Sequence, residues 1–96
     1  MRDRENVSNE VENFSEIFSN EDVSIYPNPV DKVLHVSAKF IMSKVEIYDI
    51  QGNIQMTKIA QTQKIELNLE LISSGLYIVR ITDTEGRIRN YRTKKL

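Results

Sequence analysis

The 96-residue chain has no cysteine, no tryptophan, only three glycines and only two prolines. Without cysteine there are no disulfide bonds, no thiolate metal ligands and no thiol nucleophile, so stability must come from packing. The glycines, at positions 52, 75 and 86, are too scattered to form a phosphate-binding loop. The sequence therefore offers neither a thiol centre nor a glycine-rich nucleotide site.

The chain is also short of residues for a catalytic or metal centre. His35 is the only histidine, and a metal or nucleophilic site would need a second imidazole or a thiolate beside it. Strand alternation turns His35 away from the face of Leu34 and Val36, so we interpret it as a surface residue. Asp31, Asp49 and Asp83 lie at turns, where short carboxylates accept backbone N–H groups. We predict no enzyme activity, no metal and no cofactor.

Long apolar runs are missing as well. No segment approaches the roughly 18 apolar residues of a membrane-spanning helix, and Met1 is followed by charged residues rather than by the apolar part of a signal peptide. We therefore predict no transmembrane segment, and an exported protein would carry its signal peptide outside this chain. The net charge of −1 gives no global attraction to nucleic acid, so no nucleic-acid partner is predicted.

Charge is distributed unevenly along the chain. Residues 1–22 carry seven acids against two arginines, while residues 80–96 carry six bases against two acids. In the acidic segment, apolar residues recur every three or four positions, as in an amphipathic helix: Val7, Val11, Phe14, Ile17 and Phe18. A helix this short is marginal in isolation, so a short helix and a polar acidic linker both stay open for residues 1–22.

From Val23 onward the apolar period changes to two, with turn residues at regular intervals. The pattern predicts seven strands, at residues 23–26, 33–37, 44–49, 54–59, 64–69, 76–82 and 87–94. A hydrophobic fraction of 40% and mixed charges at 28% suit one small folded core. The predicted fold class is all-β, an antiparallel seven-stranded Ig-like β-sandwich over residues 23–96.

The alternation also predicts which residues fill the core. They are Leu34, Val36, Val45, Ile47, Ile65, Leu67, Tyr77, Val79 and Ile81. The strand at 76–82 is apolar on both faces, which predicts a central strand buried on both sides. Aspartate first and glycine fourth, at 49–52 and again at 83–86, indicate type I turns that close two hairpins.

Several short motifs follow one another in a distinctive order. They are Tyr26-Pro27-Asn28-Pro29, Leu34-His35-Val36, Glu46-Ile47-Tyr48-Asp49 with Gly52, Glu66-Leu67-Asn68-Leu69, Gly75-Leu76-Tyr77 and Lys94-Lys95-Leu96. The ordered set resembles the type A C-terminal sorting domain of the type IX (Por) secretion system of Bacteroidetes. The resemblance implies a domain that directs a cargo protein across the outer membrane, and not an enzyme.

The resemblance also implies partners and a route. The partners would be the secretion machinery of the outer membrane and a sortase-like peptidase. The cargo would pass through the periplasm to the cell surface or the medium, and the domain would be cut off around Ser19, Asn20, Glu21 and Asp22.

The candidate signal residues lie in three segments. They are Pro27, Asn28 and Pro29 in a rigid corner, Gly75, Leu76 and Tyr77 at the start of the final hairpin, and Lys94, Lys95 and Leu96 at its end. We expect the end of the last strand to offer a receptor both exposed charge and unpaired backbone groups.

Two alternatives stay open at this point. An Ig-like adhesive or glycan-binding module of a cell-surface protein would use the same sandwich, and it predicts a contiguous exposed aromatic patch. Separately, open strand edges would let isolated domains pair as a strand-swapped or edge-to-edge dimer.

Overall fold

The computed structural model describes residues 18–19 and 22–96, which form one antiparallel sheet. The six strands in this part of the chain are β1 (Phe18–Ser19), β2 (Val23–Tyr26), β3 (Val33–Asp49), β4 (Ile54–Asn68), β5 (Gly75–Asp83) and β6 (Ile88–Lys95). Their order is β1-β2-β3-β5-β6, and β4 pairs with β3. None of the described residues forms a helix that could cross a lipid bilayer. The all-β, antiparallel prediction is confirmed.

Two strands run through positions where breaks were predicted. β3 has 17 residues and β4 has 15, so the stretches 38–43 and 60–63 are continuous strand. Neither stretch contains glycine, proline, asparagine or aspartate, and Ser43 is the single turn-favouring residue in them, so they carry no strong signal that ends a strand. The prediction of seven separate strands is therefore wrong. The predicted strands 33–37 and 44–49 form one strand, and so do the predicted strands 54–59 and 64–69.

The long β3–β4 hairpin curls the sheet over a single core. β2 pairs with the first half of β3 and β5 with the second half, while β4 pairs with both halves. The β3–β4 ladder shifts register between Ser37 and Lys44, which marks the bend. One curled sheet takes the place of two separate sheets, and the Ig-like sandwich is not confirmed.

The core lies between the two halves of the curled sheet. All the predicted core residues are buried, and Leu34, Val45 and Ile47 are fully so. They are joined by Val23, Ile25, Val30, Ala38, Met42, Leu69 and Tyr91. Alternation therefore predicts the composition of the core even where it misplaces the strand ends.

β5 lies between β3 and β6, yet only one of its faces is buried. Val79 and Ile81 point into the core, whereas Leu76 is 51% exposed and Ile78 is half-buried. The prediction that this strand is buried on both faces is wrong, because within the described residues no second layer packs on its outer side.

The two hairpin turns are confirmed. Gly52 N–H donates to the Asp49 carbonyl at 3.0 Å, and Gly86 N–H donates to the Asp83 carbonyl at 3.1 Å. Both glycines have positive φ angles, 92° and 86°, which residues with a Cβ atom rarely adopt.

The prediction for residues 1–22 falls almost wholly outside the described residues. Phe18 and Ser19 are the main exception, since they pair with Ile25 and Ser24 of β2. These two residues form the short strand β1.

Candidate functional site

The three segments of candidate signal residues meet at one corner of the sheet. The register of the β5–β6 ladder sets residues 75–77 directly opposite residues 93–95. The segment 27–30 lies along the end of β6, where Val30 forms a parallel bridge with Lys95. We call residues 27–30, 75–77 and 92–96 together the signal corner. The fold thus joins segments that are far apart in the sequence.

Asn28 attaches this corner to β6 through its side chain. Its Oδ1 accepts hydrogen bonds from Lys94 N–H at 3.0 Å and from the Thr93 hydroxyl at 3.2 Å. Its Nδ2 donates to the Arg92 carbonyl at 3.5 Å. Pro27 and Pro29 on either side have fixed φ angles and no N–H donor, so the Asn28 side chain supplies pairing that they do not.

Val30 continues the pairing with its backbone. Its N–H donates to the Lys94 carbonyl at 2.8 Å, and its carbonyl accepts from Leu96 N–H at 2.9 Å. The Val30 side chain is fully buried, which anchors the segment. The expectation of unpaired backbone groups at the end of β6 is therefore wrong, because Asn28 and Val30 occupy that edge.

Side chains at the end of β6 alternate between two environments. Arg92 and Lys94 are exposed, whereas Thr93 and Lys95 are buried, Lys95 being 6% exposed. The Lys95 ammonium donates to the Leu96 backbone oxygen at 2.9 Å. The expectation that both lysines present exposed charge is wrong for Lys95, since adjacent residues of a strand point to opposite faces.

Gly75, Leu76 and Tyr77 have different roles at the start of β5. Gly75 has a φ of +152°, which favours glycine. Tyr77 is buried, and its hydroxyl donates to the Ser73 carbonyl at 2.6 Å, so its ring is fixed at both ends. Leu76 points the other way and is exposed. It is the member of this motif that a partner can touch.

A groove of about 520 Å³ runs along the outer side of the signal corner. It is lined by Asn28, Pro29, Leu76 and residues 90–94. The lining includes the cations Arg92 and Lys94 and no acidic side chain. Such a groove favours a partner surface with negative charge.

The single histidine packs against a tyrosine and an acid. His35 is half-buried, stacks on Tyr26 with ring centroids 5.1 Å apart, and holds Nδ1 3.3 Å from a Glu66 oxygen. Within the described residues, His, Asp and Glu side chains form no group of three or more able to hold a metal ion. Tyr77 and Tyr91 are buried, so they contribute nothing to the exposed aromatic patch that a glycan-binding module would need.

The two turn aspartates have lowered pKa values. Burial raises the pKa of Asp83, but hydrogen bonds from the Arg87 backbone and guanidinium and from Glu85 N–H bring it below its ordinary value. The pKa of Asp49 is lowered chiefly by the Asn53 N–H, 2.9 Å from its Oδ1. Carboxylates held ionised in this way stabilise turns and are poor proton acceptors near neutral pH.

Two of the four residues predicted around the cleavage bond are described. Ser19 pairs with Ser24 in the β1–β2 ladder. Asp22 is half-buried, its carbonyl accepts from Lys39 N–H at 2.9 Å, and its carboxylate lies 4.0 Å from the Arg89 guanidinium. Asn20 and Glu21 lie outside the described residues.

Sequence reasoning missed Val30 and Thr93 as parts of the signal corner. Val30 follows Pro29, and its apolar side chain is the one local feature that indicates burial at this position. Thr93 alternates with Arg92 and Lys94, which was a hint that it faces inward. No local pattern indicates that Val30 pairs with Lys94 or that Thr93 bonds to Asn28, since these partners are 64 and 65 positions apart.

Comparison with known proteins agrees with this fold. The family described as secretion system C-terminal sorting domain matches residues 24–95. A solved structure of PorZ, an essential bacterial surface component of the type-IX secretion system of Porphyromonas gingivalis, has a similar fold with a TM-score of 0.65. It is 20% identical, and the match covers 77% of this chain and 11% of that chain. The comparison with curated proteins gave no match. Because the family match spans most of the sequence, this chain belongs to the family of secretion system C-terminal sorting domains.

Proposed function

We propose that the type IX secretion machinery recognises this sorting domain at the signal corner. Family membership gives the domain its role, a signal for export across the outer membrane to the cell surface or the medium. The observation that supports the location is the meeting of three distant segments beside one cationic groove. A signal assembled in this way exists only in the folded domain, so folding and recognition are coupled.

Within the corner, the exposed side chains are the ones offered for recognition. Leu76, Arg92 and Lys94 are exposed, and Leu96 is 54% exposed. These side chains are held in place by the rest of the corner, namely Gly75, Tyr77, Lys95 and the segment 27–30. Recognition therefore depends on an apolar group flanked by positive charges, which suits an acidic receptor surface.

The test is export of a reporter protein fused ahead of this chain, in a host with a working type IX system. We expect Arg92→Glu with Lys94→Glu to abolish most of the export. Exposed substitutions of this kind change stability by no more than about 0.5 kcal/mol each, so the domain stays folded. Lys64→Glu, an exposed charge reversal on β4 away from the corner, is the matched control.

The possible outcomes distinguish an error in the location of the signal from an error in the proposed function. If the double variant exports as well as the wild type, the signal lies elsewhere in the domain. If the wild-type fusion itself stays inside the cell, the chain does not serve as an export signal in that host. Deleting Lys94–Leu96 is a poor test, because it also removes the pairing with Val30 and the buried Lys95.

We further propose that the cargo passes through the periplasm and that a sortase-like peptidase cuts between Ser19 and Asp22. β1 supports this location, because it has two residues and pairs only with β2 within the described chain. Detaching so short a strand costs little, and Ser19 then loses its pairing with Ser24 of β2. Mass spectrometry of the released domain should give a new N-terminus within residues 20–22. A terminus inside β2 or later would place the cut elsewhere.

We also propose that the isolated domain associates through its open strand edges, as a strand-swapped or edge-to-edge dimer. Within the described residues β4 pairs with β3 alone, which leaves its other edge open along 54–68. Sedimentation velocity at several concentrations should show a sedimentation coefficient that rises with concentration. A monomer at every concentration would contradict this proposal.

A further inference from the structure

The face of the sheet turned away from the core carries a large share of the exposed apolar side chains. Residues opposite one another in a ladder share a face, so the registers join four strands in rows. One row runs from Ile54 through Tyr48 and Ile78 to Arg92. A second row has Ile59 at one end and Ile88 at the other. We call the part of this side formed by residues 44–48, 54–59, 76–82 and 88–94 the outer face.

The exposure of these side chains is high for aliphatic residues. Ile54 is 54% exposed, Ile59 76%, Leu76 51% and Ile88 56%. Such side chains gathered on one face mark an interaction surface more often than isolated ones do. Core packing does not explain Ile54 and Ile59, because residues 54–64 of β4 include none that is buried. These two isoleucines therefore add little to the stability of the domain.

The outer face also carries excess positive charge. Lys44, Arg80, Arg92 and Lys94 lie on it by register, against the single acid Glu46. Glu46 is 7% exposed and already accepts a hydrogen bond from the Tyr48 hydroxyl at 3.1 Å. An apolar surface with this charge is complementary to one that is apolar and acidic.

The positive charge of the outer face also distinguishes between three kinds of partner, a second copy of the chain, a lipid surface and another folded protein. A second copy docked face to face would bring like charges together, which opposes that pairing. Arg80 is held in position, with Nε 3.1 Å from the Asn90 Oδ1 and its guanidinium 4.7 Å from the centre of the Tyr48 ring. A fixed guanidinium suits carboxylates at fixed positions on a folded protein better than mobile lipid headgroups.

We propose that the outer face docks an apolar, acid-containing surface of a protein partner, and that recognition therefore extends from the signal corner across the sheet to β4. Leu76, Arg92 and Lys94 belong to both surfaces, which makes them continuous. The inference rests on the proposed function, since the partner is the protein of the secretion machinery that receives this domain.

The test uses the whole chain fused to the export reporter, with Ile54→Glu and Ile59→Glu combined. Both positions lie on β4, outside the signal corner. Export should fall about tenfold or more, because two apolar contacts of the interface are lost and two carboxylates then face an acidic partner. The control combines Val33→Glu with Leu71→Glu, two exposed apolar residues off the outer face, and it should export normally.

A second variant guards against misfolding. Ile54→Thr with Ile59→Thr keeps β-branched side chains suited to a strand, and it should lower export in the same direction while the melting temperature stays near that of the wild type. Normal export by both β4 variants overturns the proposal while leaving the signal corner intact. Failure of the wild-type fusion to export overturns the proposed function, and this inference with it.

Two binding measurements test the other possible occupants of the outer face, a lipid surface and a second copy of this chain. The wild-type chain should not sediment with phosphatidylglycerol vesicles, and any pairing through the β4 edge should persist in the variant with Ile54→Thr and Ile59→Thr, which keeps a strand-forming sequence. Vesicle binding that the Glu variant abolishes would assign the outer face to lipid, and a dimer that the Thr variant abolishes would assign it to a second copy. Either result overturns the proposal.

Discussion

Lys94 and Lys95 carry the same charge but stand in different surroundings. Lys94 is exposed beside the groove, whereas Lys95 is 6% exposed and donates to the Leu96 backbone oxygen at 2.9 Å. A buried lysine stem contributes apolar packing in addition to its hydrogen bond. Lys94 is therefore available for recognition, and Lys95 supports the structure.

The first prediction separates these two roles by stability. Lys95→Glu should lower the free energy of unfolding by roughly 1 to 3 kcal/mol, because a buried carboxylate would meet the Leu96 oxygen without a donor between them. Lys94→Glu should change it by no more than about 0.5 kcal/mol. Thermal unfolding followed by circular dichroism checks both, and equal melting temperatures would contradict the assignment. Lys95→Met keeps the stem and should fall between the two.

The second prediction concerns Asn28, whose side chain is the acceptor for Thr93 and for Lys94 N–H. Asn28→Ala should cost roughly 1 to 3 kcal/mol, because two donors lose their partner at a part-buried site. Hydrogen exchange of the Lys94 amide should become faster in this variant. Asn90→Ala, which removes an exposed asparagine from the same strand, is the control and should leave that exchange rate unchanged.

At the scale of strands and turns, local patterns carry most of the information. Alternation in 33–36 and 64–67 predicts the buried residues, because strand side chains alternate strictly between two faces. Apolar residues also alternate through 38–42, so continuity there was open to prediction, whereas the register shift between Ser37 and Lys44 was not, since it depends on how β3 pairs with β4. The contact of 28–30 with β6 has no periodic signal at all, so the site was predicted as separate motifs without its geometry.

The third prediction concerns the turn closed by Asp83. Its pKa is lower in the folded state than the ordinary value of 3.8, so the folded state favours the ionised carboxylate. This contribution is fully present above that ordinary value and is lost as the pH falls through the lower, folded pKa. Thermal melts across this acidic range should show a smaller acid-induced loss of stability in Asp83→Asn than in the wild type.

The control for this prediction removes a carboxylate that holds no hairpin turn. Asp31 is exposed in the connection between β2 and β3, and Asp31→Asn should leave the acid dependence of the melting temperature close to that of the wild type. If Asp83→Asn and Asp31→Asn change the acid dependence equally, the hydrogen bonds of the Asp83 turn are not its source.

At the scale of the whole molecule, the curled sheet brings the segment after β2 and the end of β6 together. Val30 pairs with Lys94 and Leu96 through the backbone, and its buried side chain belongs to the same core as Leu67. Core packing and the signal corner are therefore parts of one cooperative unit, as expected for a domain of this size. A defect deep in the core should therefore also disturb the signal corner, the proposed site of recognition.

The fourth prediction tests that coupling with two leucines of opposite exposure. Leu67 is 1% exposed and Leu71 is 99% exposed. Leu67→Ala should cost about 2 to 5 kcal/mol, a large share of a small domain's stability, whereas Leu71→Ala should cost no more than about 0.5 kcal/mol. Urea unfolding measures the difference. Because the signal corner exists only in the folded domain, reporter export by Leu67→Ala should fall as the growth temperature approaches its melting temperature, and undiminished export there would mean that recognition needs no fold.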